Sequence, residues 1–195
     1  MNCLKIYFLL LKLVLIKVLL IIFLVSSASQ ANEIVSEYTV STSGIKIGKF
    51  NWFLNINNDH YETKIYLKNS GFFSPLYKFK GEYISKGYVL DKFYKTKYYK
   101  QSWETNKKTK IVEMKFNEQS ISLIQEPKEK EHARININSF FHYCDPIVSF
   151  INILNKNDFV KTIDGRRVYI MRKKLTNNSK KIVLEIHGYQ NIWAD

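Results

Sequence analysis

The sequence predicts a mainly β protein: a strongly curved antiparallel sheet, half-barrel or open-barrel in form, with one short helix packed against it and a signal peptide in front. Three observations carry this. Apolar residues recur at every second position from Ser36 to about Gln125, as in strands that bury one face. Turn-forming clusters separate these runs. The period becomes helical once after the N-terminal segment, directly behind an Asp-Pro pair.

The N-terminal segment carries Lys5, Lys12 and Lys17, then the apolar run VLLIIFLV from Val18 to Val25, then small residues with Ser29 and Ala31 at the minus-three and minus-one positions of a cleavage site. That layout is a secretory signal peptide, residues 1–31. A membrane span needs about 20 apolar residues, and Ile6 to Val25 reaches that length only by including Lys12 and Lys17. Cleavage after Ala31 therefore gives a periplasmic chain with peripheral or no membrane association; the alternative is an N-terminal anchor in the inner membrane. Cys3 precedes the apolar run, so no lipoprotein acylation site follows it. Residues 32–195 suffice for a single β-rich domain.

In that domain FNWFLNI places Phe50, Trp52, Leu54 and Ile56 on one side. YETKIYLK repeats the pattern with Tyr61, Thr63, Ile65 and Leu67, and VEMKF with Val112, Met114 and Phe116. Turns are expected at Thr42–Gly44, Asn57–His60, Asn69–Gly71, Ser85–Gly87 and Glu104–Lys108, giving a meander of sequential strands. Glu126 to Arg134 is charged, contains Pro127 and reads as a loop. Asp145 then caps a helix that starts with Pro146, whose missing donor has no partner to lose. Ile147, Phe150, Ile151 and Leu154 form its apolar face. Period two returns in RRVYIMRKK and KKIVLEIHG, for eight to ten strands in all. Asp164-Gly165 in front of the first is a strong hairpin signal, and it sends Arg166 and Arg167 to opposite faces.

The formal charge is +13, and loss of Lys5, Lys12 and Lys17 lowers it to +10. Only 4 of the 30 basic residues are arginine, whereas phosphate and base recognition relies on the bidentate guanidinium. With export, this argues against nucleic acid and for anionic envelope surfaces. Cys144 is the one cysteine of the exported domain, so no internal disulfide is available. His142, Cys144 and Asp145 are the residue types of a nucleophile, base and orienting group, but in thiol hydrolases such partners are distant in sequence. Asp145 already serves as a cap, and Cys144 reads as a small buried residue. Histidine and cysteine spacings give no zinc site, and no phosphate loop is present. No enzyme, cofactor or metal is expected.

Two features suggest binding. The run from Asp91 to Lys110 interleaves seven lysines with Phe93, Tyr94, Tyr98, Tyr99 and Trp103, a mixture suited to lipid headgroups or glycans. The reading preferred from sequence is a two-stranded ribbon whose lysines prevent edge-to-edge association, because lysine is abundant throughout the chain. Arg166 and Arg167 are the second feature; the stretch reads first as turn chemistry alone, and beyond that an arginine binds an anion or pairs with a buried carboxylate. Tyr98, Trp103, Arg166 and Arg167 are thus the candidate binding residues, with Asp145, Pro146, Asp164 and Gly165 as structural positions.

The order YTVSTSGIKIGKFNWFL, DPIVSFINIL and TIDGRRVYIM resembles the DUF3108 family of exported proteobacterial proteins of unknown function, from roughly Glu37 to Tyr189. Gly44 and Gly48 match a glycine pair of that pattern and Asp145-Pro146 its Asp-Pro. Ile163 stands where the family has phenylalanine or a similar residue. The resemblance implies an envelope protein on a strongly curved antiparallel sheet, with further closing strands after YQNIWAD, so the chain reads as truncated there. The expected function is a non-enzymatic module that binds a lipid, glycan or envelope protein, with Trp52, Leu54, Ile65 and Leu67 lining an apolar face. The alternative is a structural or assembly factor for envelope β proteins.

Overall fold

Alternation in the first half of the domain produces seven strands, each paired with the next. The computed structural model describes residues 32–71, 74, 75, 77–155, 157–174 and 182–194, together with Lys17; the expected signal peptide lies outside the described residues. The strands are β1 (Asn32–Thr42), β2 (Ile45–Asn57), β3 (His60–Asn69), β4 (Phe79–Leu90), β5 (Phe93–Thr105), β6 (Thr109–Phe116) and β7 (Ile121–Glu126), in one antiparallel sheet of that order. A 3-10 turn at Ile137–Phe140 leads to the helix α1 (Pro146–Leu154). Then β8 (Phe159–Ile163), β9 (Arg167–Lys174) and β10 (Val183–Asn191) form a second sheet in the order β10, β9, β8. Among the described residues, no helix is long and apolar enough to cross a membrane.

The fold is mainly β with one short α-helix, as the periodicity predicts. Its strands are shared between two antiparallel sheets, where the sequence reading placed them in one. The reason is visible at the second hairpin. Its tip docks on the inner face of β6 and β7, with Gly165 against Val112 and Leu123, instead of extending the sheet beyond β7.

Register fixes which residues share the inner face. One row across the sheet runs Leu54, Thr63, Ser85, Tyr99, Met114, Leu123; the next runs Trp52, Ile65, Tyr83, Gln101, Val112, Gln125. Within β2, β3 and β6 these rows hold the residues that alternation grouped on one side, Trp52 and Leu54, Thr63 and Ile65, Val112 and Met114; the register shows that side to be the inner one. α1 covers them, with Phe150 beside Trp52 at 5.8 Å and Val148, Ile151 and Ile153 buried.

The turn expected at Ser85–Gly87 is absent. Those residues lie within β4, where a register shift between Lys86 and Gly87 leaves Lys97 of β5 unpaired as a bulge. A Cβ on Gly87 would stand 1.9 Å from the Lys95 carbonyl oxygen, so glycine is there for close backbone approach. The chain instead reverses at Asp91 and Lys92, both at positive φ (50° and 68°), as a two-residue hairpin requires. The bulge also lets Thr96 and Tyr99, three residues apart, both point inward and be buried.

Candidate functional site

Asp145 is fully buried and caps α1. Its Oδ1 accepts from the backbone N–H groups of Ile147 (2.9 Å) and Val148 (3.2 Å). Its Oδ2 accepts from the hydroxyls of Ser85 and Thr96, each at 2.6 Å. Tyr61 joins through a 3.0 Å contact to Ser85. Burial pushes the Asp145 carboxyl above the ordinary range, against the pull of these four donors. Pro146 occupies the first helical position.

Cys144 beside it is buried, with its thiol 3.6 Å from the Tyr94 carbonyl. Burial, and next the Asp145 charge, push that thiol up to about 12. This is the environment of an inert structural cysteine. Asn152 of α1 accepts from the Tyr94 N–H (2.7 Å) and donates to the Tyr94 carbonyl (2.8 Å). One amide thereby takes the place of a strand along β5 where β6 has ended. The cluster fixes the helix on the sheet.

The second hairpin is closed by Asp164, whose N–H donates to the Arg167 carbonyl (3.1 Å). Asp164 Oδ1 accepts from the N–H groups of Arg166 (2.9 Å) and Arg167 (2.8 Å). Burial raises the Asp164 carboxyl, opposed by those donors and by the arginine charges. Gly165, at φ 86°, is the first residue of the tip. Its carbonyl accepts from Trp193 Nε1 at 3.2 Å.

The four expected binding residues divide. Tyr98 and Trp103 are five residues apart within one unbroken stretch of β5, so they occupy opposite faces. Tyr98 faces away from the core. Trp103 belongs to a third inner row: Tyr38, Phe50, Leu67, Gly81, Trp103, Lys110. Phe50, Leu67 and Trp103 in this row are only partly buried, and none of its side chains belongs to the core cluster. Beside Leu67 lies a groove of about 300 Å³ lined by Val40, Ile47, Leu67, Tyr77 and Phe79.

The other end of the row is basic. Arg166 Nη2 stands 3.6 Å from Glu129 Oε2, with the two side chains 39% and 16% exposed. Lys108 Nζ lies over the Trp103 ring at 5.4 Å, and the Arg167 guanidinium over Tyr189 at 5.3 Å. Burial holds Lys110 below the usual lysine range; Arg166, Lys108 and Arg167 add to the shift, and Glu129 opposes it. Four cations thus gather around Glu129, and two of them, Arg166 and Arg167, also lie within reach of the Asp164 charge. Lys110 and Glu129 were not singled out from sequence. Trp103 pairs with Lys110 because the turn consists of Asn106 and Lys107, half a residue off the centre of the expected Glu104–Lys108 turn, and that half residue decides the partner; nothing in the charged loop marked Glu129.

A larger groove of about 430 Å³, near His60, Tyr88 and Lys97, is more polar. On its rim Glu62 is already paired with Lys64 (2.9 Å) and Lys86 (3.1 Å). Among the described residues, no group of three or more His, Cys, Asp or Glu is placed to hold a metal ion.

No curated protein and no solved structure matches the chain. Residues 37–175, from β1 through the end of β9, match the family described as Protein of unknown function (DUF3108), and the chain belongs to that family.

Proposed function

We propose that this chain is an exported, non-catalytic module of the cell envelope that holds the apolar part of a lipid on the end of its inner sheet face that α1 and the second sheet leave exposed. The observation that carries this reading is the third inner row with its adjoining groove. Phe50, Leu67 and Trp103 face the same side as the core, yet helix and second sheet leave them partly exposed. Ligand sites are apolar concavities of this kind, and about 300 Å³ is at the small end of their range. Asp145 spends both carboxylate oxygens on four donors that cap and anchor α1, and the Cys144 thiol beside it is buried with its ionisation pushed up, so both are read as structural.

The test is native mass spectrometry of residues 32–195 purified gently from a periplasm, followed by lipid and glycan analysis of what is released. A stoichiometric lipid is expected. A clean apo mass on a folded protein would count against the reading.

One observation favours assembly as the rival. Among the described strands β1 lies at the edge of its sheet; it has 11 residues and no lysine or proline, in a chain otherwise rich in lysine. Ile34, Val35 and Tyr38 on it are 53%, 60% and 43% exposed. Edge strands are usually protected by lysine, proline or cover, and an open edge recruits a further strand. A clean apo mass together with a crosslinked β partner at β1 is the outcome that reading expects.

A further inference from the structure

Resting on the lipid reading, we propose that the corner formed by Lys108, Lys110 and Arg166 beside Trp103 is the site of the ligand's anionic headgroup. Lys110 is the inner-face cross-strand neighbour of Trp103, so it closes the row whose other members are apolar or glycine. A single molecule lying along this row meets hydrocarbon at Leu67 and Phe50 and cations at Lys110. Three strand spacings separate Leu67 from Lys110, roughly 14 Å. That length suits an amphipathic molecule better than a bare anion.

The cations outnumber the carboxylates beside them: Glu129 and Asp164 face Lys108, Lys110, Arg166 and Arg167. Among the described residues Glu129 is the side-chain ion-pair partner of Arg166, and at 3.6 Å that pair is long compared with the 2.7–2.9 Å of a good charge-assisted bond. Like charges held together are unfavourable until an anion arrives, so the cluster is organised for one. Partial burial of Lys110 weakens solvent screening of that attraction. Arg167 stacks on Tyr189 and contributes charge without a direct contact.

The experiment titrates the domain with two single-chain lysophospholipids of equal acyl length, one with a phosphoglycerol head and one with a phosphocholine head, read by tryptophan fluorescence. Inorganic phosphate is a third probe. The phosphoglycerol lipid should bind at least about tenfold more tightly, the scale of one charge-assisted bond. Lys110→Met and Arg166→Gln should each remove most of that preference, weakening phosphoglycerol binding by a larger factor than phosphocholine binding. Lys97→Gln, an equal loss of charge elsewhere on β5, should not. Glu129→Gln should strengthen phosphoglycerol binding by freeing Arg166, which a merely structural role for the pair does not predict.

Equal affinity for both lipids, or equal losses with Lys97→Gln, overturns the headgroup site and leaves the lipid reading standing. Binding of inorganic phosphate as tightly as of lipid overturns the headgroup assignment in favour of a free anion. Failure to bind either lipid overturns both the site and the reading it rests on.

Discussion

At the scale of single residues, burial decides chemistry. Cys144 has its thiol raised to about 12 by burial and the neighbouring carboxylate, so at pH 8 only about one thiol in ten thousand is ionised. Alkylation by iodoacetamide at pH 8 should be negligible in the native protein and complete in denaturant. Cys144→Ala should leave lipid binding unchanged, and loss of binding in that variant would return the thiol to consideration. Asp145 gives a prediction of opposite sign to the usual carboxylate. Its folded pKa is raised, so between the ordinary aspartate value, about 3.9, and the folded value the native state binds more protons than the unfolded state. The Asp145 contribution is fully present below that window and is lost as pH rises through it. Urea midpoints of wild type and Asp145→Asn, measured from pH 3 to pH 7, should show a wild-type advantage that shrinks with rising pH and then levels. An advantage that grows with pH would mean the four donors outweigh burial.

The elements show which local signals suffice and which do not. The Asp145-Pro146 start, the faces of β2, β3 and β6, and the Asp164-Gly165 hairpin were legible because each rests on contacts within a few residues. Ser85–Gly87 misled for a physical reason: glycine marks a turn or a close backbone approach equally well. Which of the two applies depends on Lys95, in another strand. The bulge opposite Gly87 inverts the alternation of β5 after Thr96, so Tyr99, Gln101 and Trp103 share the inner face with Tyr94 and Thr96 while Tyr98 does not. Asn152 escaped notice because its value comes from the unpaired backbone of Tyr94, some 58 positions away. Gly87→Ala tests the close approach. The added methyl meets a backbone oxygen at 1.9 Å and cannot be relieved by a side-chain rotation, so roughly 2–4 kcal/mol of stability should be lost. Loss below about 0.5 kcal/mol, the level of a neutral surface change, would show that β4 and β5 are not in this register.

Across residues 32–195, a compact unit, the two sheets are joined by shared burial instead of shared hydrogen-bond ladders. α1 lies between them, Val168 and Tyr169 of β9 share one core cluster with Val112 and Met114 of β6, and the Asp-Gly tip seats directly on β6. Elements that bury one common core unfold together, so the sheets should show a single transition despite their separate pairing. Gly165 is the point where this can be tested. A Cβ there would stand 2.5 Å from Val112 Cγ1, and the backbone holds φ at 86°. Gly165→Ala therefore combines overpacking with strain, each costing about 1–3 kcal/mol. Single-tryptophan variants retaining Trp52 in the first sheet or Trp193 beside the hairpin tip report on either side of the junction. In urea both should give the same midpoint in the parent protein and the same lowered midpoint after Gly165→Ala. If Trp193 reports an earlier transition while Trp52 is unmoved, the second sheet is a separately melting layer. The basic corner, which takes Lys110 from one sheet and Arg166 from the other hairpin, would then form only while that layer is docked.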